Sequence, residues 1–304
     1  VIVVLSGGVG AARLLRALRA VNDPSTVTAI VNVGDDLVMH GLSICPDLDT
    51  ITYTLAGLNN EELGWGLTGE SWRVMKELGD LGGESWFALG DRDLATHLYR
   101  TQRLHLGASK SDVARELAFH HGVPETIIPV SNDVIATTFD TEVGQLSFQE
   151  YFVRHHHDIT VRSVAFVGAN DAQPAPGVLD AIAQASRIIV APSNPLISIA
   201  PILAVPGVRD ALVRRRDDVV AVSPIIQGAA LKGPADRLMR ELGLEATCVG
   251  VARYYREIAG TFVIDALDEH HRTEIVEMGL DVHVTTTIMA NADHARALAQ
   301  VVLA

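Results

Sequence analysis

The sequence predicts an α/β fold: a Rossmann-like three-layer αβα arrangement on a parallel sheet, carrying a helical insertion subdomain. Three observations predict it. Val1 to Leu5 is a continuous apolar run, Ala11 to Val21 places leucines at helical spacing, and Thr26 to Val33 is β-branched again, so the chain opens β-α-β. Apolar strands joined by a helix imply a parallel sheet covered on both faces. The same alternation returns after Pro176, whereas Asp47 to His121 between the two blocks is mainly helical in pattern.

Each element has a local reason. Leu5-Ser6-Gly7-Gly8-Val9-Gly10 follows the first strand and opens a helix, an arrangement that turns backbone N–H groups toward a phosphate. Asp47 can cap a helix ending at Gly57, and Asp91 one running through Leu106. Ser109 with Asp112 has the spacing of a capping box before a helix closed by Gly122. Val134 to Asp140 and Gln145 to Val153 alternate on either side of Thr141 to Gly144, as a β-hairpin would. A helix runs from Pro176 through Ala185, a strand covers Arg187 to Ala191, and after Pro192-Ser193-Asn194-Pro195 a helix reaches Arg214-Arg215-Arg216. Strands at Val219 to Val222, Phe262 to Ile264 and Val282 to Thr287, with a last helix from Asn291, complete the pattern. One domain is expected, its core over about 1–45 and 125–304 and its helical insertion over about 46–124.

Composition bounds the function. With 304 residues, 48% of them hydrophobic, the chain can bury a full core. A net charge of -13 argues against a nucleic-acid surface, which needs clustered Lys and Arg. The one basic cluster, at 214–216, is followed at once by Asp217-Asp218 and suits a solvated helix end. Cys45 and Cys248 are too few for a disulfide framework or a cysteine-ligated zinc site, and suit a reducing compartment. No apolar run approaches the ~18 residues of a membrane span. The opening apolar run is too short for a signal-peptide core. A cytoplasmic protein without membrane or nucleic-acid partners is expected.

In open parallel sheets ligands sit beyond the carboxyl ends of the strands, and Ser6 to Gly10, Asn32 to Asp36, Ser193-Asn194 and Ser223 each follow a predicted strand. They should converge on one crevice. Gly7, Gly8, Val9, Gly10, Asn32, Ser193, Asn194 and Ser223 are therefore the candidate nucleotide-binding residues. From Gly8 the loop reads Gly-Val-Gly-Ala-Ala-Arg, so Arg13 replaces the third glycine of the dinucleotide fingerprint, which disfavours nicotinamide binding. A G-x-x-x-x-G-K-[ST] loop is absent too, leaving a diphosphate or nucleotide held mainly by backbone amides.

Grouped carboxylates near a phosphate repel it unless a cation intervenes. Asp35, Asp36, Asp47 and Asp49 offer hard oxygens, and Mg²⁺ commonly binds one or two carboxylates with phosphate oxygens. Asp47 reads mostly as an N-cap and Asp36 as a turn residue, which leaves Asp35 and Asp49 as the metal-binding and catalytic candidates. In Gly90 to His97, Arg92 starts a helix where the dipole disfavours a cation, and that violation favours a ligand for Arg92. His40 and His97 lie beside the acidic motifs and are candidates for hydrogen bonding to ligand. His155-His156-His157 reads as a solvated strand terminus, and Trp65, Trp72 and Trp86 as packing anchors.

Together the segments at 5–13, Asn32 to Asp36, Cys45 to Thr50, Gly90 to His97, Ala191 to Pro195 and Ser223 to Ile226 resemble the CofD/FbiA family of 2-phospho-L-lactate or phosphoenolpyruvate transferases of coenzyme F-420 biosynthesis. The similarity runs over nearly the whole chain. It implies a guanosine diphospho donor, a deazariboflavin acceptor called Fo, release of GMP, a Mg²⁺ requirement and a homodimer. Carried over by position, it places acceptor contacts on Asp49 and Arg92, with His97 beside them, and nucleotide contacts on the glycine loop and on Ser193-Asn194. One segment departs: Ala136 and Thr138 stand where the family pattern has a carboxylate and an imidazole. The YvcK-type nucleotide-sugar regulators resemble the same family in fold and glycine loop, but need no Asp-Arg-Asp clamp.

Overall fold

The computed structural model describes residues 1–304. The chain opens with strand β1 (Ile2–Ser6), helix α1 (Gly8–Arg19) and strand β2 (Val27–Val31). A short hairpin, β3 (Leu37–Met39) with β4 (Leu42–Ile44), leads into four helices: α2 (Pro46–Leu55), α3 (Arg73–Asp80), α4 (Asp91–His105) and α5 (Lys110–His120). Strand β5 (Thr126–Pro129) then returns to pair with β2. Next, β6 (Ala136–Thr141), β7 (Gly144–Ser147) and β8 (Val161–Val167) make a separate antiparallel sheet. Helix α6 (Val178–Gln184) and strand β9 (Arg187–Val190) re-enter the core, followed by α7 (Ala200–Ala204), α8 (Val208–Arg214) and β10 (Val219–Val222). A two-residue pair, β11 (Ile225–Ile226) and β12 (Ala229–Ala230), precedes α9 (Ala235–Glu241) and α10 (Cys248–Tyr255). The chain closes with β13 (Thr261–Asp265), α11 (Arg272–Glu277), β14 (Asp281–Thr285) and α12 (Ala292–Leu303).

Seven parallel strands form the central sheet in the order β14-β13-β10-β9-β1-β2-β5. From β1 the chain moves outward to β2 and β5. After the antiparallel β6–β8 sheet and α6 it re-enters on the other side of β1, at β9, and moves outward to β14. The junction of β1 and β9 is thus the topological switch point, where α/β sheets open a crevice for ligand. Strand periodicity sends Val3, Leu5, Ile30, Ile188 and Phe262 into the layer containing α6 and α8 to α11. Ile2, Val4, Ala29, Ile189 and Val220 pack the opposite way against α1, α2 and α12. Each large side chain buried this way contributes about 1.5–3 kcal/mol, and truncating the fully buried Leu5 to Ala would cost about 2–5 kcal/mol.

Two expected elements differ. Alternation predicts a strand through Val153, but β7 ends at Ser147 and Glu150–Arg154 form a wide helical turn, which buries Tyr151 against Phe139. The pairing that completes this sheet comes instead from β8, whose half-exposed pattern carries little signal. After Pro195 the single expected helix is broken into a wide turn, α7 and α8, with Gly207 left-handed at the last junction. No single helix is long and apolar enough to cross a membrane.

Candidate active site at the carboxyl edge of the sheet

The loops that follow β1, β2, β9, β10 and β14 meet the start of α2, α4 and the 148–157 segment around one cavity of about 930 Å³. Gly7, Gly8, Val9, Gly10, Asn32, Asp35, Asp49, His97, Ser193, Asn194 and Ser223 all line it. Arg92 does not. Thr287 to Ala290 also line it, a stretch with no polar motif to mark it in the sequence; buried Asp265 orients it by accepting the Thr287 amide at 2.7 Å.

Close packing dictates the glycine loop. A Cβ at Gly10 would lie 2.3 Å from the Pro192 carbonyl oxygen, and Gly8 has φ +69°. Ser193 Oγ donates to the Gly7 carbonyl at 2.6 Å, tying the two loops together. Ser223 Oγ is likewise spent, donating to the Ile225 carbonyl at 2.8 Å. Asn194 differs: its Oδ1 accepts the Leu196 amide, while its buried Nδ2 has no partner and remains a donor for ligand. The Val9 and Gly10 amides, at the start of α1, also find no acceptor in the chain.

The acids are sorted differently from the expectation that Asp47 serves mainly as an N-cap. Cys45 holds the N-cap position of α2, with Pro46 starting the helix. Asp47 instead reaches across to α1: its Oδ1 accepts the Gly8 amide at 2.6 Å and its Oδ2 accepts Asn32 Nδ2 at 2.9 Å. The same Asn32 nitrogen lies 3.4 Å from Asp35 Oδ1, and Asn32 Oδ1 accepts the Gly34 amide, so Asn32 organises the carboxylates. Burial pushes Asp47 up to about 6, against the Asn32 and Gly8 donors. Burial, then the charges of Asp47 and Asp36, holds Asp35 well above the usual carboxylate range. Asp36 is compensated by Lys110 at 2.6 Å. Asp35 and Asp47 therefore form a buried, adjacent pair of hard oxygen donors without a side-chain cation of their own, which suits Mg²⁺.

Asp49 has a different environment. Arg100, fully buried, donates to Asp49 Oδ1, and its other terminal nitrogen lies 3.1 Å from His97 Nδ1. His97 Nδ1 is 3.7 Å from Asp49 Oδ2, and Nε2 is 3.3 Å from Asp93 Oδ2, within ion-pair range but off hydrogen-bonding geometry. Tyr53 Oη donates to Asp93 Oδ1 at 2.7 Å. Burial raises the Asp49 carboxyl, opposed by Arg100 and His97. Burial acts the same way on Asp93, but the close approach and charge of His97, with the bond from Tyr53, bring it below its ordinary value. Ligand atoms of Asp49, Asp93 and His97 come within 4.8 Å of one another, yet the adjoining guanidinium disfavours a metal there. Arg100 stands in no sequence motif; its only signal is that Asp93, His97 and Arg100 recur at helical spacing on one face of α4.

Arg92 and its neighbours have structural partners. Glu70 accepts the amides of Arg92 (2.7 Å) and Asp93 (2.9 Å), supplying the cap that Gly90 cannot. Asp91 does the same for α3, accepting from Val74 N at 3.2 Å. The Arg92 guanidinium is exposed and donates to the Thr68 carbonyl. The expected helix-dipole violation is thus offset by Glu70. His40, at the tip of the β3–β4 hairpin, is exposed and outside the cavity. His156 and His157 end the wide turn rather than a strand and line the cavity, as do Trp65 and Trp86, expected only to pack. Ala136 and Thr138 are outside the lining.

Residues 2–299 match the family model described as 2-phospho-L-lactate transferase CofD. A protein named phosphoenolpyruvate transferase from Kitasatospora aureofaciens is 41% identical over 310 residues, covering 100% of this chain and 97% of that protein. Its namesake from Nocardia farcinica is 42% identical over 299 residues, covering 95% and 90%. Among solved structures, a UPF0052-family protein from Bacillus halodurans superposes with a TM-score of 0.62 at 17% identity, covering 100% of this chain and 98% of that one, a likeness of fold alone.

Proposed function

The chain belongs to the CofD family and is a transferase, and on that premise we propose that it moves a phosphoenolpyruvyl or 2-phospho-L-lactyl group from a GDP-activated donor to the ribityl hydroxyl of Fo. The products are dehydro-F-420-0 or F-420-0, and GMP. One observation carries this reading: a single cavity joins free amides and Asn194 Nδ2 at the sheet switch point to a buried carboxylate on α2 whose Oδ2 has no hydrogen-bond partner.

Phosphoryl transfer asks mainly for positioning and charge neutralisation. The acceptor hydroxyl oxygen bonds to the phosphorus of the phospho-acid, the bridging P–O bond breaks, and GMP departs with the bridging oxygen. Asp49 takes the hydroxyl proton on Oδ2, while Arg100 fixes its other oxygen. The Val9 and Gly10 amides and Asn194 hold the nucleotide end. Asp35 and Asp47 would hold Mg²⁺, with Asp47 in place of the expected Asp49, and the ion when bound neutralises diphosphate charge. Mass analysis after incubating the protein with Fo, a GDP-activated donor and Mg²⁺ should show the phospho-acid added to Fo with stoichiometric GMP. Donor left intact, combined with tighter calorimetric binding of a UDP-sugar than of GDP, would replace this proposal with a nucleotide-sugar regulator.

A further inference from the structure

Six charged side chains line the cavity: the carboxylates Asp35, Asp47, Asp49 and Asp93, and the cations Arg13 and Lys232. Each carboxylate is engaged by Asn32, Gly8, Arg100 or Tyr53. The two cations have neither a carboxylate partner nor a side-chain hydrogen bond in the chain. Helix α1 makes the contrast plain. Its later arginines are tied down, Arg16 to Glu61 at 2.5 Å and Arg19 to Glu125 at 2.6 Å. Arg13, three residues after Gly10 and half-buried, is free and turned to the cavity.

Arg13 and Lys232 come from distant elements but flank the same loop, the 56–72 connection between α2 and α3. Arg16 first, and Arg13 after it, hold the Glu61 carboxyl below its ordinary value, which puts Arg13 beside the start of that loop. A Cβ on Gly64 would lie 3.5 Å from Lys232 Nζ, which puts Lys232 beside its tip. The loop therefore runs between two unpaired cations that line the same cavity.

We propose that Arg13 and Lys232 form the subsite for the carboxylate of the transferred phospho-acid. This rests on the transfer reading above. The two diphosphate charges would be met by the α1 amides and by the cation that Asp35 and Asp47 would hold. The remaining anionic group on such a donor is its carboxylate. A guanidinium matches a carboxylate with two parallel donors and an ammonium adds a point charge, a combination that selects a carboxylate-bearing group over a neutral one.

Calorimetry with two guanosine ligands tests it: lactyl-2-diphospho-5′-guanosine, and guanosine diphosphate β-methyl ester, which keeps the diphosphate charges but lacks the carboxylate. Arg13→Ala and Lys232→Ala should each weaken the lactyl ligand by roughly tenfold or more, a loss expected for a charge-assisted contact, and leave the methyl ester within about twofold. Arg13→Lys should recover part of the loss, and a general structural fault would weaken both ligands alike. Equal losses for the two ligands would make these cations a diphosphate grip, and no loss for either would leave them without a ligand role; both overturn the inference while the transfer reading stands. Failure of the wild-type protein to bind either ligand would overturn the transfer reading, and this subsite with it.

Discussion

Asp47 Oδ1 accepts the Gly8 amide at 2.6 Å, so the first N–H of helix α1 is already held by a carboxylate from α2. The dipole at a helix N-terminus favours that anion. The contact also brings Asp47 next to Asp35 through their common donor Asn32, and it fixes the glycine loop to the start of the insertion.

A pH dependence follows. Burial sets Asp47 near 6 in the folded chain, against an ordinary 3.8, so the folded state keeps a proton that the unfolded state releases between those values. Stability should therefore fall as pH rises from about 4 to about 6, by at most about 3 kcal/mol. Urea unfolding in metal-free buffer measures the slope. Asp47→Asn should flatten it, and saturating Mg²⁺, which favours the ionised form, should reverse it. A wild-type slope that rises with pH in metal-free buffer would contradict the assignment.

Arg100 compensates Asp49 inside the protein, where a lone carboxylate is expensive. Arg100→Met should destabilise by about 3–5 kcal/mol. Adding Asp49→Leu should return most of that loss, since the stranded charge goes with it. Denaturation midpoints of the two singles and the double give the coupling; additive losses would mean the pair is not coupled.

Gly10→Ala forces a methyl against the Pro192 carbonyl oxygen, 2.3 Å from the ideal Cβ position. The loops after β1 and β9 must separate, costing about 1–3 kcal/mol of stability. GDP affinity should fall with it, because the displaced turn carries the free amides. Unchanged melting temperature and GDP affinity would show that the switch point tolerates the shift.

Arg92→Ala and Glu70→Ala should act in the same direction. Both release the 68–70 segment from the start of α4, and loss of the Glu70 cap should cost about 0.5–2 kcal/mol. Fo affinity, by fluorescence titration, should weaken in both variants while GDP binding is kept. If only Arg92→Ala weakened Fo, the guanidinium would be touching the acceptor directly.

The fold was legible because its signals are local. Val1 to Leu5, Arg187 to Ala191 and Val219 to Val222 announce buried parallel strands by composition, and the Ser109–Asp112 capping box is formed as its spacing implies. The crevice was legible through topology, since polar loops after parallel strands share one edge. Partnerships across the chain were not. Nothing near Asp47 in sequence points to Gly8, nothing near Gly90 points to Glu70, and a buried Arg100 looks like any arginine on a helix. The wide turns at Glu150–Arg154 and Pro195–Ile199 were hidden for a related reason: apolar residues there satisfy strand or helix periodicity equally well, and tertiary packing decides.

The most direct measurement is rapid-quench formation of GMP by Asp49→Asn with Fo, donor and Mg²⁺ all saturating. Loss of a positioned general base should slow the step by roughly 10²–10⁴-fold, while calorimetric affinity for GDP and fluorescence affinity for Fo stay close to wild type. GMP formation at the wild-type rate, with both ligands bound, would show that the proton leaves by another route and that Asp49 is not the base.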